Sequence, residues 1–151
     1  MKVVVQRVTN ASVSINSQLI NQIQKGMLVF VAFSDGDTQK EIDLIIKKLL
    51  ALRIFSDQNG LMNKSLNDIN GELLLISQFT LYADVWNGNR PSFGNALASD
   101  KANILYDQLV NNLNSQINIK TGVFGADMQV SLINDGPITI IIDTKEKIKD
   151  N

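Results

Sequence analysis

The chain has 151 residues, 44% of them hydrophobic and 19% charged, with a formal net charge of −1 from 14 Lys and Arg against 15 Asp and Glu. This balance fits one globular domain and excludes disorder as the main state; a chain of this size buries about two-thirds of the surface its unfolded form exposes and needs no disulfide or metal staple. Cys and His are both absent, which excludes a thiolate nucleophile, a Cys/His zinc site, a Ser-His-Asp triad and an imidazole base within this chain.

Any chemistry therefore falls to hydroxyls, carboxylates, Lys, backbone dipoles or groups carried by a substrate, and neither metal nor cofactor is expected. The lack of thiols suits a cytoplasmic setting. Apolar runs such as Met27–Phe33 fall far short of the ~20 residues of a membrane span, and Met1–Arg7 shows no secretory pattern, so no membrane partner is expected. There is no basic block. A nucleic-acid partner would have to be gripped at a small, shaped site rather than by broad phosphate binding.

In chain order, Val3–Val8 predicts a strand, and the polar–apolar alternation of Ser12–Ile15 predicts a second strand or a bulged continuation of the first. Leu19–Ile23 is a weaker strand. Met27–Phe33 is apolar throughout, as in a strand covered on both faces. A helix follows: Thr38 and Glu41 form a capping-box pattern, and Ile42, Ile45, Ile46, Leu49 and Leu52 recur at helical spacing away from Lys40, Lys47 and Lys48. Asp57–Gly60 and Asn70–Gly71 are turns, the second leading into a strand over Glu72–Ser77. Tyr82–Ala98, rich in Gly, Asn and aromatics, reads as a long loop, and loops beyond about 12–15 residues are usually functional or disordered. A second helix starts near Ser99, with Ala102, Leu105, Tyr106, Leu109 and Leu113 on one face. Three strands close the chain, Ile117–Thr121, Met128–Leu132 and Ile138–Asp143, with the turn Asn134–Pro137 between the last two. The fold class is α+β: a single domain with a curved, mostly antiparallel sheet or barrel and two main helices. The domain spans residues 1–144, and residues 145–151 form a mixed-charge, solvated tail.

Three segments could carry chemistry. Ser77-Gln78-Phe79-Thr80-Leu81 puts two hydroxyls and an amide at a strand end, where sites are commonly built; the same hydroxyls could equally satisfy turn backbone. In Asn87-Gly88-Asn89-Arg90-Pro91-Ser92-Phe93, Gly88 permits close backbone approach and Arg90 could fork onto a phosphate or carboxylate, unless it is simply solvated. Asn134-Asp135-Gly136-Pro137-Ile138-Thr139 is a tight turn, which composition alone reads as an ordinary trans link between strands. Arg7 lies on an apolar strand and needs a partner if buried; Met128 reads first as core packing. No P-loop, GxGxxG, HExxH or EF-hand pattern is present.

Taken in order, these segments resemble the D-aminoacyl-tRNA deacylase family. The resemblance runs over residues 1–144 through Met1–Val8, Leu52-Arg53-Ile54-Phe55, Ser77–Asp84, Gly88–Phe93, Thr121–Val130 and Asn134–Thr139. One departure is Trp86-Asn87, where the family often carries basic residues. The resemblance implies a homodimeric, cytoplasmic hydrolase that cleaves the ester between a D-amino acid and the terminal ribose of tRNA. It implies a site at the dimer interface, in which the Ser77–Thr80 stretch of one subunit meets a cis Gly136–Pro137 turn inserted from the other. On that reading Gln78, Phe79 and Thr80 are catalytic, and Ser77, Gly136, Pro137, Arg7 and Met128 bind substrate, with Arg7 clamping the turn and Met128 lining the pocket. Backbone N–H groups near Phe79 and Thr80 would stabilise the oxyanion while the substrate's ribose 2′-OH helps place water. Thr80 as a covalent nucleophile is the alternative, and it has no visible base. The turn's carbonyls would reject an L side chain by overlap, which leaves glycyl-tRNA as a second substrate. Two other classes fit the residues less well: a non-catalytic homodimeric RNA-binding module, and a Ser/Thr esterase acting on small acyl esters.

Overall fold

The computed structural model describes residues 1–148. Strand β1 (Lys2–Ile15) is the spine of the sheet. Both sequence segments expected at its start fall within it, so Ser12–Ile15 continues the first strand past a register shift beside Val8. On one side β1 pairs antiparallel with β3 (Gly26–Ala32) through Lys2–Val8 and with β2 (Gln18–Ile23) through Ala11–Ile15. β3 then pairs in parallel with β6 (Glu72–Ser77), and β6 with β7 (Ile119–Thr121). On its other side β1 pairs antiparallel with β8 (Gln129–Asp143) from Lys2 to Ser14. The result is a strongly curved, nearly closed, mostly antiparallel sheet, as the pattern predicted.

One expectation changes. Met128–Leu132 and Ile138–Asp143 are not separate strands joined by a turn; they are two halves of β8. Gln6 pairs with Thr139 and Val8 with Asn134, so Asp135–Ile138 stand as a bulge opposite Arg7 alone. Turn residues normally end a strand. Here β1 templates both flanks in nearly one register, and the turn is extruded instead.

The helices pack on one face. In α1 (Gln39–Ala51) the stripe Ile42, Ile45, Ile46 and Leu49 is buried, and in α2 (Ser99–Asn114) so are Ala102, Tyr106, Leu109 and Leu113. They meet Val3, Val5, Val29, Val31, Leu73 and Leu75 of the sheet. The opposite face of the same strands makes a second cluster of Val8, Val13, Ile23, Leu28, Leu74 and Ile76. β3 and β6 are thus covered on both sides, which accounts for their unbroken apolar runs. The Tyr106 hydroxyl donates to the Leu75 carbonyl at 2.9 Å, tying α2 to β6.

Two small strands, β4 (Phe55–Ser56) and β5 (Met62–Lys64), flank the expected Asp57–Gly60 turn. A short helix, α3 (Thr144–Ile148), follows β8 where a solvated tail was expected to begin; residues 149–151 of that tail lie outside the described residues. Thr144 and Asp37 hold the Met1 α-ammonium at 2.9 and 2.6 Å. Among the described residues no helix is long and apolar enough to cross a membrane.

The capping box forms as expected. Glu41 accepts from the Thr38 N–H and hydroxyl, both at 2.8 Å. Burial pushes the Glu41 carboxyl up, but the Thr38 hydrogen bonds outweigh it and leave the group below its ordinary value. A depressed folded pKa gives stability that is fully present above the unfolded value and lost as pH falls through the folded one. Glu41→Ala should therefore cost about 1 kcal/mol at neutral pH, with the deficit narrowing below about pH 4, as read from urea unfolding across pH.

Candidate active site

β6 leads into the site. Its parallel pairing ends at Ser77 against Val31, and the Gln78 N–H donates to the Val31 carbonyl at 2.7 Å. The chain then turns into a short 3-10 segment, Phe79–Tyr82. The Gln78 amide donates to Thr80 Oγ1 at 2.6 Å. Neither the Phe79 nor the Thr80 N–H has an acceptor among the described residues. Two adjacent backbone donors are thus left free where the chain leaves β6.

A cleft here has a volume of about 620 Å³, and Ser77, Gln78, Phe79 and Met128 all line it. Phe79 is 57% exposed, a ring held out of the core, and it meets Phe93 edge-on with centroids 4.9 Å apart. Gly122 makes room for Met128: a Cβ there would come within 2.5 Å of the Met128 sulfur. Further walls come from Phe33, Leu97 and Phe124. Phe93 and the stretch 124–127 fall within segments singled out in the sequence, but none of them was assigned to the site. Phe33, Leu97 and Phe124 were missed, because an apolar residue bordering a cavity carries the same pattern as one in the core. Thr80 does not line the cleft; it is exposed beside it.

The Gly136–Pro137 turn lies elsewhere. Gly136 and Pro137 are exposed at the apex of the β8 bulge, joined by a cis peptide, with Gly136 at φ +124°, a conformation that favours glycine. Arg7 holds the bulge from below. Its Nε lies 3.0 Å from Asp135 Oδ2 and donates to the Asp135 carbonyl at 3.2 Å, while Nη1 donates to the Ile54 carbonyl at 2.7 Å. The Asn134 amide closes the base of the bulge, donating to the carbonyls of Arg7 and Ile138.

The sheet separates the cleft from the turn. Ser77 is aligned through Val31 with Val3, whereas the bulge is centred on Arg7, four residues along β1 and three strand steps away. At ~3.3 Å per residue and ~4.8 Å per strand, the separation is roughly 20 Å along the sheet. The structure therefore groups Ser77, Gln78, Phe79 and Met128 at the cleft, with Thr80 beside it, and Arg7, Gly136 and Pro137 at the sheet edge; within one chain it does not bring the groups together. Among the described residues no three carboxylates converge to hold a metal.

Comparison with known proteins gives the family. The family model described as "D-Tyr-tRNA(Tyr) deacylase" matches residues 4–143. The chain belongs to that family. It is 51% identical over 149 residues to the D-aminoacyl-tRNA deacylase of Flavobacterium psychrophilum, a match covering 97% of this chain and 99% of the relative. Among solved structures, "c-Myc DNA Unwinding Element Binding Protein" superposes with a TM-score of 0.91 at 42% identity, covering 95% of this chain and 99% of the other. A probable eukaryotic D-amino acid tRNA deacylase shares the fold, with a TM-score of 0.79 at 20% identity and coverage of 93% and 97%. The family resemblance in the sequence and the α+β fold read from its pattern both hold.

Arg7 is the part of this arrangement most open to direct test. Arg7→Ala should destabilise the fold by about 2 kcal/mol, because it removes charge-assisted bonds to two carbonyls and a carboxylate. Arg7→Lys should recover only part of that in denaturant unfolding, since an ammonium lacks the planar fork.

Proposed function

We propose that this protein hydrolyses the ester of D-aminoacyl-tRNA, releasing free D-amino acid and tRNA, as a cytoplasmic homodimer. The observation that carries the reading is the pair of free N–H groups of Phe79, which lines the Ser77–Met128 cleft, and Thr80, which lies beside it, in a chain of this family. Water attacks the ester carbonyl carbon, and those N–H groups receive the developing oxyanion. Collapse then breaks the bond to the ribose oxygen, which leaves with a proton. The attacked ester is already activated, so a strong protein base is not required. The ribose 2′-OH of the substrate positions the water.

Thr80 is not the nucleophile in this scheme. Its Oγ1 accepts from the Gln78 amide, and no carboxylate or Lys partner reaches it among the described residues. Thr80→Ala should lower kcat less than about tenfold. Loss of nearly all turnover would defeat the RNA-assisted scheme in favour of covalent catalysis.

The chiral filter is the Gly136–Pro137 turn of a second copy. Support comes from its exposure, from the ~20 Å that separates it from its own cleft, and from the open edge of β8. That edge pairs with nothing among the described residues, and the exposed Ile133 and Ile141 project from the same strand. Long unpaired edges invite pairing with another chain. The inserted turn sets backbone oxygens against the substrate α-carbon, where a D residue has hydrogen and an L residue would clash. Arg7 keeps the turn in position, and Met128 bounds the pocket.

The central experiment measures release of amino acid from matched D- and L-aminoacyl-tRNA. Selective cleavage of the D ester is expected. Equal rates would exclude the filter, and absence of cleavage would leave an RNA-binding module. Because glycine has hydrogen on both sides, glycyl-tRNA should also be cleaved. In a one-to-one mixture of a Gln78→Ala chain with a chain altered at Gly136–Pro137, cleavage of the L ester per altered chain should fall to roughly half if the two parts come from different subunits, because each mixed dimer keeps one working site guarded by an intact turn. L-ester cleavage unchanged by mixing would place both parts in one chain.

A further inference from the structure

The loop between Ala83 and Ala98 contains a feature that the hydrolytic scheme does not use. Asp84 and Ser92 exchange backbone hydrogen bonds at 2.8 and 2.9 Å, closing Val85–Pro91 into a small projecting hairpin. The Asp84 carboxylate braces its first leg, accepting from the Trp86 N–H at 3.0 Å and from the Asn87 amide at 3.4 Å. Trp86 is 90% exposed on that leg, next to exposed Val85. An indole held almost wholly in water by a closed turn gains none of the burial that normally favours Trp. The next residue after the bridge, Phe93, lines the cleft and packs on Phe79. The Phe93–Phe79 aromatic pair at the cleft thus lies one residue past the closing bridge of the hairpin.

We infer that Trp86 is a stacking platform for an unpaired nucleotide just upstream of the esterified one, with Arg90 on the same hairpin contacting the adjoining phosphate. The inference rests on the reading of the substrate as an aminoacylated RNA end. Two observations favour a nucleobase over a protein surface. The hairpin is followed directly in the chain by Phe93, which lines the cleft that takes the terminal nucleoside. The chain's net charge of −1 leaves little ionic attraction for RNA, so affinity must come from contacts that do not depend on charge. Base–aromatic stacking is such a contact and tolerates any base.

Trp86 is the chain's single tryptophan, so indole emission reports this hairpin alone. Titration of the wild-type protein with uncharged tRNA should quench that emission without any turnover. In kinetics, Trp86→Ala should raise KM for D-aminoacyl-tRNA about tenfold with little change in kcat. The effect on the D-aminoacyl ester of adenosine alone, which has no upstream nucleotide, should be far smaller. Trp86→Phe should restore most of the loss. Arg90→Gln should flatten the salt dependence of tRNA binding by about one unit of slope. An equal KM penalty on both esters, or emission unmoved at saturating tRNA, overturns the inference. Emission that follows protein concentration instead of RNA marks the indole as a self-association contact and overturns it too. Failure of the hydrolytic reading would appear separately, as wild-type protein that quenches with tRNA but cleaves no D-aminoacyl ester.

Discussion

Register along β1 governs this molecule. One strand pairs on one side with β3 and then β2, and on the other with almost the whole of β8. Because β3 also pairs in parallel with β6, the ladder fixes where Ser77 ends its strand and where the Phe79 turn begins. The same ladder leaves four residues of β8 opposite Arg7 and forces them outward. A slip of one residue would invert every side chain on the strand and move both features. Burial of β3 and β6 on both faces makes such a slip costly, since either register must keep two apolar clusters filled.

The bulge is a polar object on the rim of an apolar sheet, and its charges are matched locally. Arg7 is the cation, Asp135 the anion, and the Ile54 and Asp135 carbonyls take the remaining donors named here. Asn134 ties the two flanks together from inside. A turn held this way can stand free of the sheet without the support of packing. That is a useful property for the filter role proposed for this turn, and an unnecessary one for a simple strand connection.

The cleft is chemically sparse. Its neighbourhood offers backbone donors, an amide, hydroxyls and aromatic rings, and the chain has no imidazole or thiol to add. Such a site can stabilise developing charge and exclude the wrong shape; it is poorly equipped to move protons by itself. Hydrolysis of an activated ester whose leaving group carries a neighbouring hydroxyl matches that limited repertoire.

Much of this was legible in the residues. A continuous apolar run marked β3 as doubly covered, the Thr38–Glu41 box set the start of α1, and the absence of His and Cys narrowed the chemistry. These are local or compositional signals, carried by neighbours in the chain. The fusion of two expected strands into β8 was not legible, because turn residues look alike whether they end a strand or bulge from one; only the partner strand decides. Nor were Phe33, Leu97 and Phe124 recognisable as cleft walls, since hydrophobicity does not reveal which side of a ring faces a void. The separation of the Gly136–Pro137 turn from Ser77–Thr80 belongs to the sheet alone: it is set by strand order and register, which arise from pairings between residues far apart in sequence.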